Sequence, residues 1–295
     1  MEETEESLYL TYVVNCVFNA FSSYTAVMLN ILTIHATRKS PLLPKPLKTL
    51  LLSLAVSDLG VGLLVQPFYI AIMIKLSQQS TVFQSTLNVY YFLSGIFVYS
   101  SFFGVVAISV DRFLAIHLHH RYQELVTHKR VVVAMISIWL FSVILSSQAA
   151  SFIPFDETSL AVVFAIIVGL CIICTSITYC KVYFTVRRHK NQIHLLQVQQ
   201  NGELANVARL SRKSSLGAFY IYLVFLACSL PEYCRLVMSI FGVPNTTSTA
   251  RRFVLYTWTL LFLNSSLNPV IYCWKMRNIR SAVMDILRNM CSTQN

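Results

Sequence analysis

The sequence predicts an all-α membrane protein, a seven-transmembrane helix bundle followed by a short amphipathic eighth helix. Three observations lead there. The 295-residue chain is 56% hydrophobic and only 12% charged, about half the charge a soluble domain carries. Its apolar residues gather into seven stretches, near 10–35, 47–74, 83–116, 130–152, 158–184, 215–241 and 252–274. A helix of roughly 20 such residues crosses the hydrocarbon core, and with no water there to satisfy peptide groups the stretches must be helical. Finally, charge is divided between the two sides of the bundle, and residues 1–295 read as one domain.

The first stretch follows Met1-Glu2-Glu3-Thr4-Glu5-Glu6, an acidic start and the opposite of a cleavable leader, so the first span is expected to serve as its own insertion signal. With that terminus outside, 19 of the 23 Lys and Arg are cytoplasmic, all but Lys75, Arg235, Arg251 and Arg252, while seven of the twelve acids lie outside. The positive-inside rule then fixes the orientation. The pI of about 9.4 reports a cytoplasmic face against anionic lipid, not nucleic-acid binding.

The second span carries Asp58 near its middle and Pro67 further out. A charge in lipid is costly, so Asp58 needs partners or a cation. Asn30 in the first span, Ser101 in the third, and Asn264, Ser265 and Asn268 in the seventh offer oxygens at similar depth. Such a set suits a hydrated cavity able to hold Na⁺; the alternative is a protonated Asp58 in a purely structural network. No other cofactor is expected.

The third span ends on Val110-Asp111-Arg112-Phe113. The outer link between spans four and five, about Phe152 to Thr158, is too short to form a lid. The longest connection is cytoplasmic, about 185–214, with Arg187-Arg188-His189-Lys190 on one flank and Arg209 to Ser215 on the other. Such flanks extend helices into headgroups, and they also suit docking of an acidic partner helix.

Pro231 interrupts the sixth span, and the seventh ends on Asn268-Pro269-Val270-Ile271-Tyr272. Each proline removes a backbone donor and loosens its helix one turn earlier. An arginine at a span end and an Asn-Pro break inside another serve a bundle that switches between two packings.

Beyond Tyr272, apolar positions 276, 279, 283, 286 and 287 share a face and Lys275, Arg277, Arg280 and Arg288 lie off it. This predicts an interfacial helix over 275–289, lying on membrane lipid. Cys291 at its end is a palmitoylation candidate or an ordinary thiol. Asn245-Thr246-Thr247 is a glycosylation sequon in the last outer loop. All eight cysteines lie in spans or on the cytoplasmic side, against an outer disulfide framework. All seven histidines are at the cytoplasmic side too, against an outer pH or metal sensor.

Asn30, Leu54-Ala55-x-x-Asp58, Asp111-Arg112-Phe113, Trp139, Tyr179, Phe225 with Pro231, and Asn268-Pro269-x-x-Tyr272 stand in an order that resembles rhodopsin-like (class A) G-protein-coupled receptors over essentially the whole chain. The resemblance implies a plasma-membrane receptor with its N-terminus extracellular, an outer pocket for a ligand of unknown identity, and a heterotrimeric G protein at the cytoplasmic face. It implies that Arg112 leaves Asp111 on activation to meet Tyr179 and the G protein, that Tyr272 swings toward Tyr179, and that the sixth helix moves outward. It also implies that Asp58, Ser101, Asn264, Ser265 and Asn268 form a sodium site favouring the inactive state.

The departures from the family pattern are Leu87 and Cys171 where a cysteine and a proline are usual, Ser229 for a tryptophan, Phe113 for a tyrosine, and Ser211 where many members carry a glutamate facing Arg112. Lacking the outer loop cysteine and the fifth-span proline is similar to melanocortin, cannabinoid and lysophospholipid receptors. The missing acid at 211 implies raised basal activity.

By family position the outer pocket would be lined by Phe68, Tyr69, Ser94, Val98, Tyr99, Val163, Ile167, Ser229, Glu232, Tyr233, Leu236, Trp258 and Phe262. Ser94 and Phe262 stand where aminergic receptors and opsins have an aspartate and a lysine, against those two classes. The lining suits a hydrophobic or amphipathic small ligand. Glu232 leaves open a peptide or cationic ligand, or a structural pair with Arg235, Arg251 or Arg252. A transporter would show internal repeats, and an enzyme a nucleophile or metal constellation; neither is evident. A decoy receptor without G-protein coupling is the remaining alternative.

Overall fold

The computed structural model describes residues 2–40, 43–118, 121–149, 157–198, 202–242 and 247–292. They form α1 (Glu2–Lys39), α2 (Lys45–Ser77), α3 (Gln84–His117), α4 (His128–Ala149), α5 (Glu157–Val198), α6 (Gly202–Ile240), α7 (Ser248–Lys275) and α8 (Arg277–Ser292). A single helical turn, Tyr122–Leu125, sits between α3 and α4.

Local chemistry sets the ends. Arg38 and Lys39 stand in the last turn of α1, where their charge complements the helix dipole. Pro46 stands in the first turn of α2, where its missing N–H costs nothing. Thr247 caps α7, its hydroxyl accepting from the Ala250 amide at 3.2 Å. α1 begins at Glu2, well before the apolar stretch does. The 185–214 connection is likewise helical over its described backbone, as continuations of α5 and α6. Its Leu, Gln, Arg and Lys are good helix formers.

In α2, Val61–Val65 forms a π-helical turn, and the Gln66 amide reaches back to the Val61 carbonyl. The turn lies immediately before Pro67, whose ring crowds the carbonyl four residues back; widening the helix relieves that clash. Gly60 just before it lets α3 come close, since a Cβ there would run into the Phe97 ring.

The outer surface is apolar as well as the interior. Val13, Val17, Phe21 and Met28 of α1, and Ile166, Leu170, Ile173 and Ile177 of α5, point outward at helical spacing. Among the described residues, six helices are long and apolar enough on their own to cross a membrane. The 28-residue α7 is long enough too, but it carries Asn264, Ser265, Ser266 and Asn268, all buried.

The interior has two hydrophobic clusters. The inner one packs Leu47, Leu50, Leu54, Ile108, Tyr179, Phe225 and Tyr272, and reaches Ile279 and Val283 of α8. The outer one packs Tyr12, Val65, Tyr69, Met73, Tyr90 and Phe262. A polar seam joins α1 to α7: the Thr259 hydroxyl donates to Asn15 Oδ1 at 2.7 Å, Asn19 Nδ2 donates to Thr259 at 2.9 Å, and the Ser266 hydroxyl donates to the Ser22 carbonyl at 2.9 Å. Gln66 joins the seam by donating to Asn19 Oδ1 at 3.4 Å.

Candidate functional site

At mid-depth the fully buried Asp58 of α2 takes two hydrogen bonds, from the Ser101 hydroxyl of α3 at 3.1 Å and from Asn268 Nδ2 of α7 at 2.8 Å. Pro269 cannot donate to the carbonyl of Ser265, four residues back. Asn30 Nδ2 of α1 takes that carbonyl instead, at 3.0 Å, and so ties α1 to the break in α7. Among the described residues no cation lies within ion-pair distance of Asp58. The side-chain oxygens of Asn264 and Asn268 are buried without a partner. A carboxyl group among unclaimed neutral oxygens is a donor set that fits a hard cation, with no His or Cys in it. Among the described residues no His, Cys, Asp and Glu cluster of metal-site size occurs.

At the cytoplasmic end, Arg112 and Asp111 form a buried pair, with Nε to Oδ2 at 2.9 Å. Tyr122, from the turn after α3, donates its hydroxyl to Asp111 Oδ1 at 2.7 Å. Burial and then the neighbouring Asp111 charge hold the Tyr122 phenol above its ordinary value. Sequence reasoning missed Tyr122; its closeness in the chain to Asp111-Arg112 was the available signal. Tyr179 of α5 accepts from Ser109 at 3.0 Å and donates to the Ala218 carbonyl of α6 at 3.0 Å, while its ring stacks on Tyr222 at 4.9 Å.

Tyr272 is fully buried, its hydroxyl without a partner among the described residues. Phe113 packs on His117, with ring centres 4.1 Å apart. Trp139 donates to Ser53 at 3.0 Å, pinning α4 to α2. Phe225 of α6 meets Phe102 of α3 at 5.5 Å, and Ser229 donates back to the Phe225 carbonyl at 2.7 Å, in the turn preceding Pro231. The side chains of Ser211 and Cys291, and all of Asn245, lie outside the described residues.

Toward the outer side a cavity of about 1350 Å³ opens between α3, α5, α6 and α7. Of the expected lining, Ser94, Val98, Tyr99, Ser229, Glu232, Tyr233, Leu236 and Trp258 face it. Five expected residues do not. Tyr69 and Phe262 meet edge-to-face at 5.4 Å inside the outer cluster, and Phe68 packs against the Tyr90 ring at 5.8 Å in the same cluster. These large rings find more contact with one another than a cavity wall offers.

On α5 the phase is shifted by one residue: Phe164, Val168 and Ile172 line the cavity, while Val163 points to lipid and Ile167 falls outside the lining. With Cys171 in place of a proline, α5 stays regular, and residues four apart keep one face inward. Gln148, Arg235 and Arg251 are lining residues the sequence reading did not name. The cavity floor reaches Ser101, Asn264 and Ser265, so cavity and polar layer are continuous.

Glu232 is already engaged. Arg235 forks onto it, Nε to Oε2 at 2.8 Å and Nη2 to Oε1 at 2.6 Å, and the Thr257 hydroxyl donates to Oε2 at 2.7 Å. Of the open readings of Glu232, the structural pair with Arg235 is the one present.

Whatever fills such a cavity presses on a polar layer tied to four helices, and the far end holds an arginine in a breakable lock. A bundle arranged this way is a membrane signalling receptor, coupling one face to the other. The chain belongs to the 7 transmembrane receptor (rhodopsin family), whose family model matches residues 29–272. It is a G-protein-coupled receptor, and its family is one of receptors rather than enzymes.

It is similar to the histamine H2 receptor of Canis lupus familiaris, 26% identical over 258 residues that cover 81% of this chain and 69% of that receptor. It is 25% identical to the adenosine receptor A3 of the same species, covering 89% of this chain and 87% of that one. The melanocortin receptor 4 of Danio rerio is 24% identical, with 87% and 78% covered. Identities this even define the family and favour no branch within it.

Proposed function

We propose that this receptor stands in the plasma membrane with its N-terminus extracellular, binds an amphipathic small ligand in the α3–α5–α6–α7 cavity, and passes the signal to a heterotrimeric G protein. The observation that carries this reading is the continuity of the cavity. One space opens beside Gln84, Asn88 and Arg251 and ends on Ser101, Asn264 and Ser265. A ligand in it acts directly on the layer that Asp58 organises.

In the resting arrangement Asp111 and Tyr122 hold Arg112, and Tyr179 clamps α6 through the Ala218 carbonyl. Outward movement of α6 breaks that clamp and frees the Tyr179 hydroxyl to receive Arg112. Asp58, Ser101, Asn264, Ser265 and Asn268 would hold Na⁺, which would neutralise the carboxylate and favour the resting packing. The amphipathic α8 rests on lipid, Cys291 is its candidate acylation site, and Asn245 is a candidate for glycosylation by its sequon.

The test is ligand-free nucleotide exchange on a heterotrimeric G protein, driven by wild type, Arg112→Ala and Asp58→Asn at matched expression. Exchange should fall to background in Arg112→Ala and change in Asp58→Asn. Background exchange in all three, with no G protein co-purifying, would sink the coupling scheme.

A further inference from the structure

We propose that the polar end of the ligand is an anion: the cavity takes an amphiphile whose carboxylate-like head sits at the outer mouth against Arg251 and Arg235, with its apolar body below. The inference rests on this cavity being the ligand site and adds the sign of the ligand's charge.

Among the described residues lining the cavity, Glu232 is the one acid, against the two arginines. Its charge is already spent within the protein. Two N–H groups of Arg235 and the Thr257 hydroxyl converge on the carboxylate at 2.6–2.8 Å. A cationic ligand using Glu232 would have to displace a forked guanidinium, breaking two charge-assisted hydrogen bonds in a site only 17–19% exposed.

An anion meets no such obstacle. Arg251, on the first turns of α7, lines the mouth with no acid in ion-pair range among the described residues. Of the five N–H donors a guanidinium carries, Arg235 uses two on Glu232 and keeps the rest. Gln84, Asn88 and Tyr91 beside the mouth add neutral hydrogen-bonding groups. Below them the wall turns apolar, with Val98, Phe102, Phe164, Val168, Phe225 and Trp258. Charge at the top and hydrocarbon beneath is the outline of an amphiphile standing head-outward.

The experiment uses the purified full chain and three probes with one tail: decanoate, decanol and decylamine. Melting temperature is followed against probe concentration for wild type, Arg251→Gln, Arg251→Lys and Glu232→Gln. Decanoate should stabilise wild type saturably and decylamine should not. Arg251→Gln should weaken decanoate by about threefold to fivefold, the worth of an exposed ion pair at the cavity mouth, and Arg251→Lys should recover part of it.

Glu232→Gln separates the alternatives by sign. It frees the Arg235 fork and should tighten decanoate, whereas a cation site would lose its counterion. Stabilisation by decylamine that disappears in Glu232→Gln overturns the proposal and leaves the amphiphile cavity standing. So do equal responses to all three probes that ignore Arg251. No saturable response to any probe in wild type overturns both the charge assignment and the amphiphile reading.

Discussion

At Glu232 three donors converge on one carboxylate, so their removal has graded consequences. Arg235→Gln leaves a half-buried carboxylate with Thr257 alone and should cost about 2–4 kcal/mol of stability. Thr257→Val removes one hydrogen bond and should cost about 1 kcal/mol. Thermal melting of the two purified variants checks the order; equal losses would mean that Arg235 is not the main partner. Tyr122 is the second informative residue. Its phenol is held above its ordinary value by burial and by the Asp111 charge. The neutral donating form is therefore present from acid through neutral pH and is lost only in strong alkali. Tyr122→Phe should raise ligand-free nucleotide exchange about fivefold, by loosening Asp111 by roughly 1 kcal/mol. The effect should be the same at pH 6 and pH 8, because the phenol does not titrate between them.

The prolines act through whole helices. Pro67 sits beyond a π turn, and Pro269 frees a carbonyl that Asn30 then claims. Pro269→Ala restores a donor to the Ser265 carbonyl, so Asn30 should lose its hold while α7 gains one helical hydrogen bond. Such a variant should melt higher and drive less nucleotide exchange than wild type; a variant that melts higher yet signals normally would remove Pro269 from the switch.

The helices were largely legible in the sequence because each apolar stretch matches the length a bilayer demands. What escaped was phase and company. Val163 and Ile167 were expected to face the cavity, and only the regular geometry of α5 turns Phe164 and Val168 there instead. Tyr69 and Phe262 look like cavity residues by position, yet ring–ring contact draws them behind the wall. The Asp58 network was readable because a carboxylate in lipid demands partners. The Arg235 fork was readable only as one option among three, since residues three apart on a helix can meet but need not.

For the molecule as a whole, two apolar clusters are separated by a polar layer, and the layer decides which packing is preferred. If Na⁺ enters that layer, NaCl should raise the melting temperature of wild type above that seen in choline chloride. The increment should vanish in Asp58→Asn. The same rise in Asp58→Asn would mean a general salt effect and no ion at the site.

The seam between α1 and α7 also bears on how the chain is made. Asn15 and Asn19 find Thr259 only after some 240 further residues have been synthesised. Until then Asn15 and Asn19 can turn their amide N–H groups only onto the Thr11 and Asn15 carbonyls of α1 itself, and the Asn15 side-chain oxygen waits for its donor. A half-satisfied amide in the membrane is the kind of feature by which a nascent chain is held back and degraded. Loss of α7, by truncation or by Thr259→Val combined with Ser266→Ala, should therefore show first in the amount of receptor reaching the cell surface, before any signalling can be measured.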